Sequence, residues 1–294
     1  MSWRAWAAFT ALCIIWGVPY FFIKLAVQEV SPFMLAWARI TLAAGILLPI
    51  AVRRGALRAT RGFWGPIALF ALVEFIVPFS AISIGEQWIS SSVAAILLAT
   101  VPLMIAVLSR FFGVHERFGL LRSTGLMLGF IGVIALVGLG RIAGLQGWLG
   151  VGCMMLAAIG YAIGPLIIQR HLSRLDSTGA TAGSLLIASL VLLVPACLSW
   201  PAHLPSVTTL SSIATLGVLC TATAMLLMFY LVNHAGAARA SVITYVNPVV
   251  ATLLGTLQLH ERLGISGAIA FALILIGCLL ATRTAHGSLS ESSA

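Results

Sequence analysis

A chain of 294 residues in which 61% are hydrophobic and only 8% charged cannot cover a water-facing surface, since an ordinary soluble domain carries about 25% charged residues. It is read as an integral membrane protein. The formal charge of +9 then reports membrane orientation and not a nucleic-acid surface, because basic residues collect in cytoplasmic loops.

In chain order the apolar stretches predict ten spanning helices, near 5–27, 33–52, 63–85, 92–113, 119–139, 148–169, 179–199, 210–232, 241–259 and 265–282. Each is close to the roughly 20 residues that a bilayer crossing needs. The first is too long for the apolar region of a secretory signal and runs straight into the second, so it counts as a span. The connectors are short. Neighbouring helices are therefore antiparallel, and no soluble domain fits between them. The ending "HGSLSESSA" is polar and reads as a disordered cytoplasmic tail over 285–294. Cys13, Cys153, Cys197, Cys220 and Cys278 lie in apolar stretches without C-x-x-C spacing and read as packing residues.

The arginines set the orientation. With the N-terminus inside, the cytoplasmic side holds Arg4, Arg53, Arg54, Arg58, Arg61, Arg110, Arg117, Arg122, Arg170, Arg174, Arg239 and Arg283, against Arg141 and Arg262 outside. Both termini are expected in the cytoplasm.

The phrase His-Glu-Arg occurs twice, in "HERFG" from His115 and in "HERLG" from His260, 145 residues apart. The same offset pairs Trp3 with Trp148, Trp16 with Tyr161 and Gly132 with Gly277. With a slip of one residue, Pro49 pairs with Pro195 and Pro102 with Pro248. The chain is thus a five-span unit written twice, over 1–144 and 145–284. Five is odd, so the second copy inserts upside down. Inverted repeats of this kind build secondary transporters, with the substrate near the midplane between the halves.

Three features carry a family resemblance: "WGVPYFFIK" in the first span, the arginine of "LAWARITLAAG" in the second, and a proline followed by "HER" and a glycine at the end of each half. Together they resemble the drug/metabolite transporter superfamily, specifically its ten-helix EamA-type members, over nearly the whole chain. The resemblance implies a ten-helix inverted-repeat exporter of small metabolites in a bacterial inner membrane, often of amino acids. Within the family it reaches the aromatic amino-acid exporters of the YddG type. Proton-coupled efflux of drugs or organic cations, and carriage of nucleotide sugars or other metabolites, stay open as alternatives. The half-size multidrug pumps of the superfamily carry a Glu in their first helix, whereas spans 1 and 6 here have none.

Other classes fit less well. The only lysine, Lys24, lies inside a span and in no P-loop context, so the chain has no Walker-type ATP site. No ring of charges or filter-like loop suggests a channel. No nucleophile–base pair or metal constellation suggests an enzyme, and neither His-Glu-Arg copy continues to H-E-x-x-H. Each copy ends the fourth span of its half, where its Glu can accept from free N–H groups at the start of the next helix and its Arg can sit at the interface. No cofactor or metal is expected. The partners are a small-molecule substrate and membrane lipid, and the chain is read as working alone.

The candidate site residues are the polar ones inside the spans. Glu74 lies about 16 Å into span 3, at 1.5 Å per residue, and an intramembrane carboxylate is a functional candidate by default. Arg39 lies about 9 Å from the outer end of span 2, and Lys24 is nearer still to the outer end of span 1. Both can snorkel outward, pair with Glu74 or meet a substrate carboxylate. Trp16, Tyr20 and Lys24 follow at i, i+4 and i+8 on one helical face, a stripe suited to a zwitterion with an apolar body or to bundle packing. Tyr161 is the repeat mate of Trp16. Tyr230, Tyr245 and Asn247 add polar handles that should face the bundle interior. Pro19, Pro78, Pro102 and Pro248 are candidate hinges, with Pro165 a further in-span proline. Of these, Pro102 and Pro248 would bend both halves at the same point. The pairs Gly125/Gly129 and Gly160/Gly164 permit close packing within the monomer.

Overall fold

The computed structural model describes residues 2–108, 120–139, 144–235, 243–261 and 264–282. The first His-Glu-Arg phrase at His115, Arg110, Arg141, Arg239, Arg262 and the tail from 283 lie outside the described residues. The described residues form ten helical rods. They are α1 (Trp3–Ala26), α2 (Pro32–Arg53), α3 (Trp64–Gly85), α4 (Ser91–Leu108), α5 (Leu120–Leu139), α6 (Gly144–Leu172), α7 (Ser177–Leu198), α8 (Val207–Leu231), α9 (Ile243–Gln258) and α10 (Ile265–Thr282). Seven are long and apolar enough to cross a membrane on their own measure, and α5 and α10 hold the shorter apolar helices Ser123–Leu136 and Ile265–Leu280. No described residue is in a strand.

Five of the rods start where the sequence offers a capping oxygen. Ser2, Ser31, Ser90 and Ser206 each accept from the backbone N–H three residues on, and Asp176 accepts from Thr178 and Gly179. Each satisfies a donor that the helix itself leaves open. The outer surface is apolar, with Ile14, Ile134, Leu190 and Val194 exposed along the rods and Trp3, Trp6, Trp148 and Trp200 near their ends. Side chains of this kind face lipid along a span and its interface at the ends.

Packing follows the duplication. α2 lies on its mate α7, and α5 on its mate α10. α3 packs on α6 as α8 does on α1, and α1 packs on α9 as α6 does on α4. Exchanging the halves leaves this set unchanged, as an inverted two-repeat fold requires. At the α5–α10 seam, Gly277 rests on the backbone of Gly125 and Gly129, and Gly132 on α10 beside Ile274. Close backbone approach of this kind drives helix association in lipid, where hydrophobicity no longer distinguishes the alternatives.

Buried apolar residues form two clusters. One is centred on α1, α4, α6, α8 and α10 and the other on α2, α3 and α7, with a few residues of neighbouring helices joining each. Tyr161 packs against both and so stands between them. The ends of the bundle also differ. Arg53, Arg54, Arg58, Arg61, Arg170 and Arg174 are all exposed at one end, called the arginine-rich end below. At the opposite, arginine-poor end, polar ties cross between the halves: Ser31 Oγ to Ser199 Oγ at 2.6 Å, and Ser206 N–H to Glu29 Oε2 at 2.7 Å. The Ser206 amide, then its hydroxyl, hold the Glu29 carboxyl below the ordinary carboxylate range. That tie is therefore at full strength above the usual carboxylate pKa and fades as pH falls through the lowered value.

Candidate functional site

Pro78 has no N–H to donate, so a carbonyl about one turn back loses its partner. Over Leu72–Ile76 α3 widens into a π-helical turn, and Val77 N–H donates to Leu72 O. Glu74 sits in this widened turn. Its Oε2 is sealed from solvent and has no hydrogen-bond partner. It lies against Gly164 of α6, where an added Cβ would overlap the carboxyl, while Gly160 one turn away faces Val73 O and Pro78. Glu74→Gln is expected to abolish or strongly slow transport while the protein still inserts and folds. Wild-type counterflow rates from well-folded Glu74→Gln protein would assign the residue to packing alone.

α8, the repeat mate of α3, also widens, over Thr215–Thr223, without any proline. The wide turn seats Arg39. Thr221 Oγ1 donates to Leu216 O at 2.8 Å and accepts from Arg39 Nε at 2.9 Å. The Arg39 guanidinium lies 3.8 Å from the centroid of the Phe79 ring, a cation–π distance. Arg39 is only 7% exposed, and no described carboxylate pairs with it. A guanidinium buried this way keeps terminal N–H donors in hand for an anion.

The polar groups form one chain through the interior. Arg39 interacts electrostatically with Tyr161, Tyr20 and Glu86, and Tyr161 with Glu74 and Tyr20. Tyr20 in turn interacts with Glu86. Trp16, Tyr20 and Tyr161 are half-buried against the same apolar cluster. The helix bends between Trp16 and Tyr20, because α1 breaks at Val18 ahead of Pro19. Lys24 does not snorkel outward. Its Nζ donates to Glu86 O at 2.5 Å and to Ile89 O at 2.7 Å, closing α1 onto the end of α3.

Three expected residues stand apart. Tyr230 stacks on His234 at 4.1 Å between ring centroids, near the arginine-rich end. With its amide turned so that nitrogen meets the neighbouring carbonyls, Asn247 donates to Ile243 O and to Cys13 O, joining α9 to α1. The side chain of Tyr245 lies outside the described ones. The hinge prolines also differ from one another. α4 breaks at Ala99–Thr100, just before Pro102, whereas α9 runs without interruption through the buried Pro248. The repeat mates therefore do not bend alike.

The structure adds Phe79, Thr221 and Glu86 to the site. Glu86 is fully buried, and neither carboxyl oxygen has a hydrogen-bond partner. The second His-Glu-Arg phrase is a tie between the halves. His260 adopts a left-handed backbone (φ 53°), which His tolerates better than most residues. The turn lets Glu261 N–H close on Gly255 O and sends the side chain to the start of α4. There Glu261 accepts from the N–H and Oγ of Ser91 and the N–H and Oγ of Ser92, at 2.7–3.0 Å.

With this geometry in hand, comparison with known proteins decides the family. A model of the EamA-like transporter family matches residues 3–138 and again 148–283. The chain belongs to the EamA-like transporter family. The double match coincides with the two packed halves. The chain is similar to YedA of Escherichia coli (strain K12), described as an uncharacterized inner membrane transporter, at 33% identity over 92% of this chain and 89% of that one. It is similar to the uncharacterized transporter YoaV of Bacillus subtilis at 23% identity, over 93% and 95% of the two chains. A solved crystal structure superposes with a TM-score of 0.67 at 20% identity, covering 95% of this chain and 96% of that one, and shows the same fold. This EamA-like protein is thus a multi-pass membrane transporter.

Proposed function

We propose that this transporter exports neutral amino acids, aromatic ones among them, across a bacterial inner membrane by alternating access, and that it works as a monomer. The observation that carries the reading is Arg39, a buried guanidinium with no described carboxylate partner, seated on Phe79 and within electrostatic range of Tyr20 and Tyr161. It suits a substrate carboxylate. The half-buried Trp16, Tyr20 and Tyr161 suit an apolar body, and Glu74 suits an amine.

The test is counterflow with purified protein in liposomes and a panel of competitors. Neutral amino acids are expected to compete, and lipophilic cations are not. Trp16→Ala is expected to weaken large apolar substrates about threefold to tenfold more than small ones, the value of one aromatic contact of ~0.5–1.5 kcal/mol. Should ethidium-like cations compete best and amino acids have no effect, the site serves organic-cation efflux instead.

The arginine-rich end is assigned to the cytoplasm on the twelve-to-two distribution of basic residues. A reporter fused after Ala294 is expected to read as cytoplasmic. A periplasmic signal would reverse the assignment.

A further inference from the structure

We propose that Glu86 is a proton-binding site whose occupancy is coupled to closure of the arginine-poor end of the bundle. The proposal rests on the chain being a transporter whose two ends open in turn. Glu86 is 0% exposed, and both its carboxyl oxygens lack a hydrogen-bond donor. Among the described residues, the charged and titratable groups that interact electrostatically with it are Lys24 and Tyr20 from α1, Arg39 from α2, and Glu261 from the turn after α9. None of them donates to the carboxyl. Lys24 bonds the backbone carbonyls of Glu86 and Ile89 instead. An ionised carboxylate left in this state would be buried without one hydrogen bond, which costs far more than burying the neutral acid. The closed arrangement therefore fits Glu86 as COOH.

Opening the arginine-poor end admits water. The carboxyl O–H bond then breaks, the proton leaves to water, and the electron pair stays on the carboxylate. The carboxylate attracts Lys24, whose Nζ already rests on the carbonyl of the same residue. Moving Lys24 frees the end of α1 from the α3–α4 connector, so proton release and opening reinforce one another. The state that holds the proton is the one that low pH favours.

The test uses the full chain in lipid vesicles and no substrate. Infrared pH-difference spectra are expected to show a protonated-carboxyl band that Glu86→Gln removes and Glu74→Gln leaves. Opening is read from a thiol at buried Ala94, introduced as Ala94→Cys and labelled relative to Leu204→Cys, at a site 95% exposed. Labelling is expected to rise with pH, by up to about tenfold per pH unit, the limit for one coupled proton. In a Glu86→Gln background it is expected to stay slow and flat. Band intensity that Glu86→Gln leaves undiminished, or a wild-type pH slope in that background, overturns the proposal. If Glu86→Gln fails to fold, Lys24→Met replaces it. Loss of the cation is expected to move the band's titration to higher pH, and an unmoved titration overturns the proposal. Neither readout needs an amino acid, so failure of the competition panel would sink the substrate reading alone.

Discussion

Arg39→Met is expected to lower neutral amino-acid counterflow at least about thirtyfold in protein that still folds. Met replaces the stem, so packing against α3 and α8 is largely kept. What is lost is a buried guanidinium without a described carboxylate partner. Truncating one member of a buried charge-assisted contact costs ~2–5 kcal/mol, and every ~1.4 kcal/mol is tenfold. The loss should fall mainly on KM if the guanidinium holds substrate and transition state alike. Arg39→Lys keeps the charge but loses the Nε bond to Thr221 and the planar contact with Phe79, so it should fall between the two. Full-rate transport by Arg39→Met would end the carboxylate reading.

Glu261→Ala is expected to open the arginine-poor end. Its carboxylate takes four donors at the start of α4, and bonds to charged groups are worth ~1.5–3 kcal/mol each when not shared. They are shared here, so a total near 3 kcal/mol is a moderate expectation, equivalent to about a hundredfold. The measurement is labelling of Ala94→Cys, which should speed up by that factor in Glu261→Ala. His260→Gly should leave labelling slow, because Gly keeps the left-handed turn that aims Glu261. Unchanged labelling in Glu261→Ala would make the tie incidental.

Much of this was legible in the sequence. Ten spans were readable because apolar runs and capping residues mark where helices begin. Arg39 and Glu74 stood out because any charge inside a span is conspicuous. Glu86 did not, since "GEQW" directly after a span reads as a connector, and burial of a connector depends on what folds over it. Phe79 and Thr221 are ordinary in a span and become notable only through Arg39. The widened turn of α3 has its cause in Pro78, but the matching turn of α8 has no residue that announces it. Lys24 was open to snorkelling because its true partners are backbone carbonyls, which no sequence displays. The second His-Glu-Arg phrase reads as capping the next helix, but its Glu261 caps α4 of the other half instead, because the chain folds that helix start against the turn after α9.

The duplication is kept in helix packing and lost in chemistry. Lys24, Arg39, Glu74 and Glu86 all come from the first copy, while the second lends the chain of polar groups Tyr161 and Thr221. Two matched halves rocking about a shared axis would rest equally well in either pose. Here one copy carries the ionisable cargo and the other serves as its wall. Under the proposed alternating access the two poses would therefore be energetically unlike, and pH and membrane voltage would act on them unequally. A machine assembled from one part used twice would in this way acquire a preferred direction of rest.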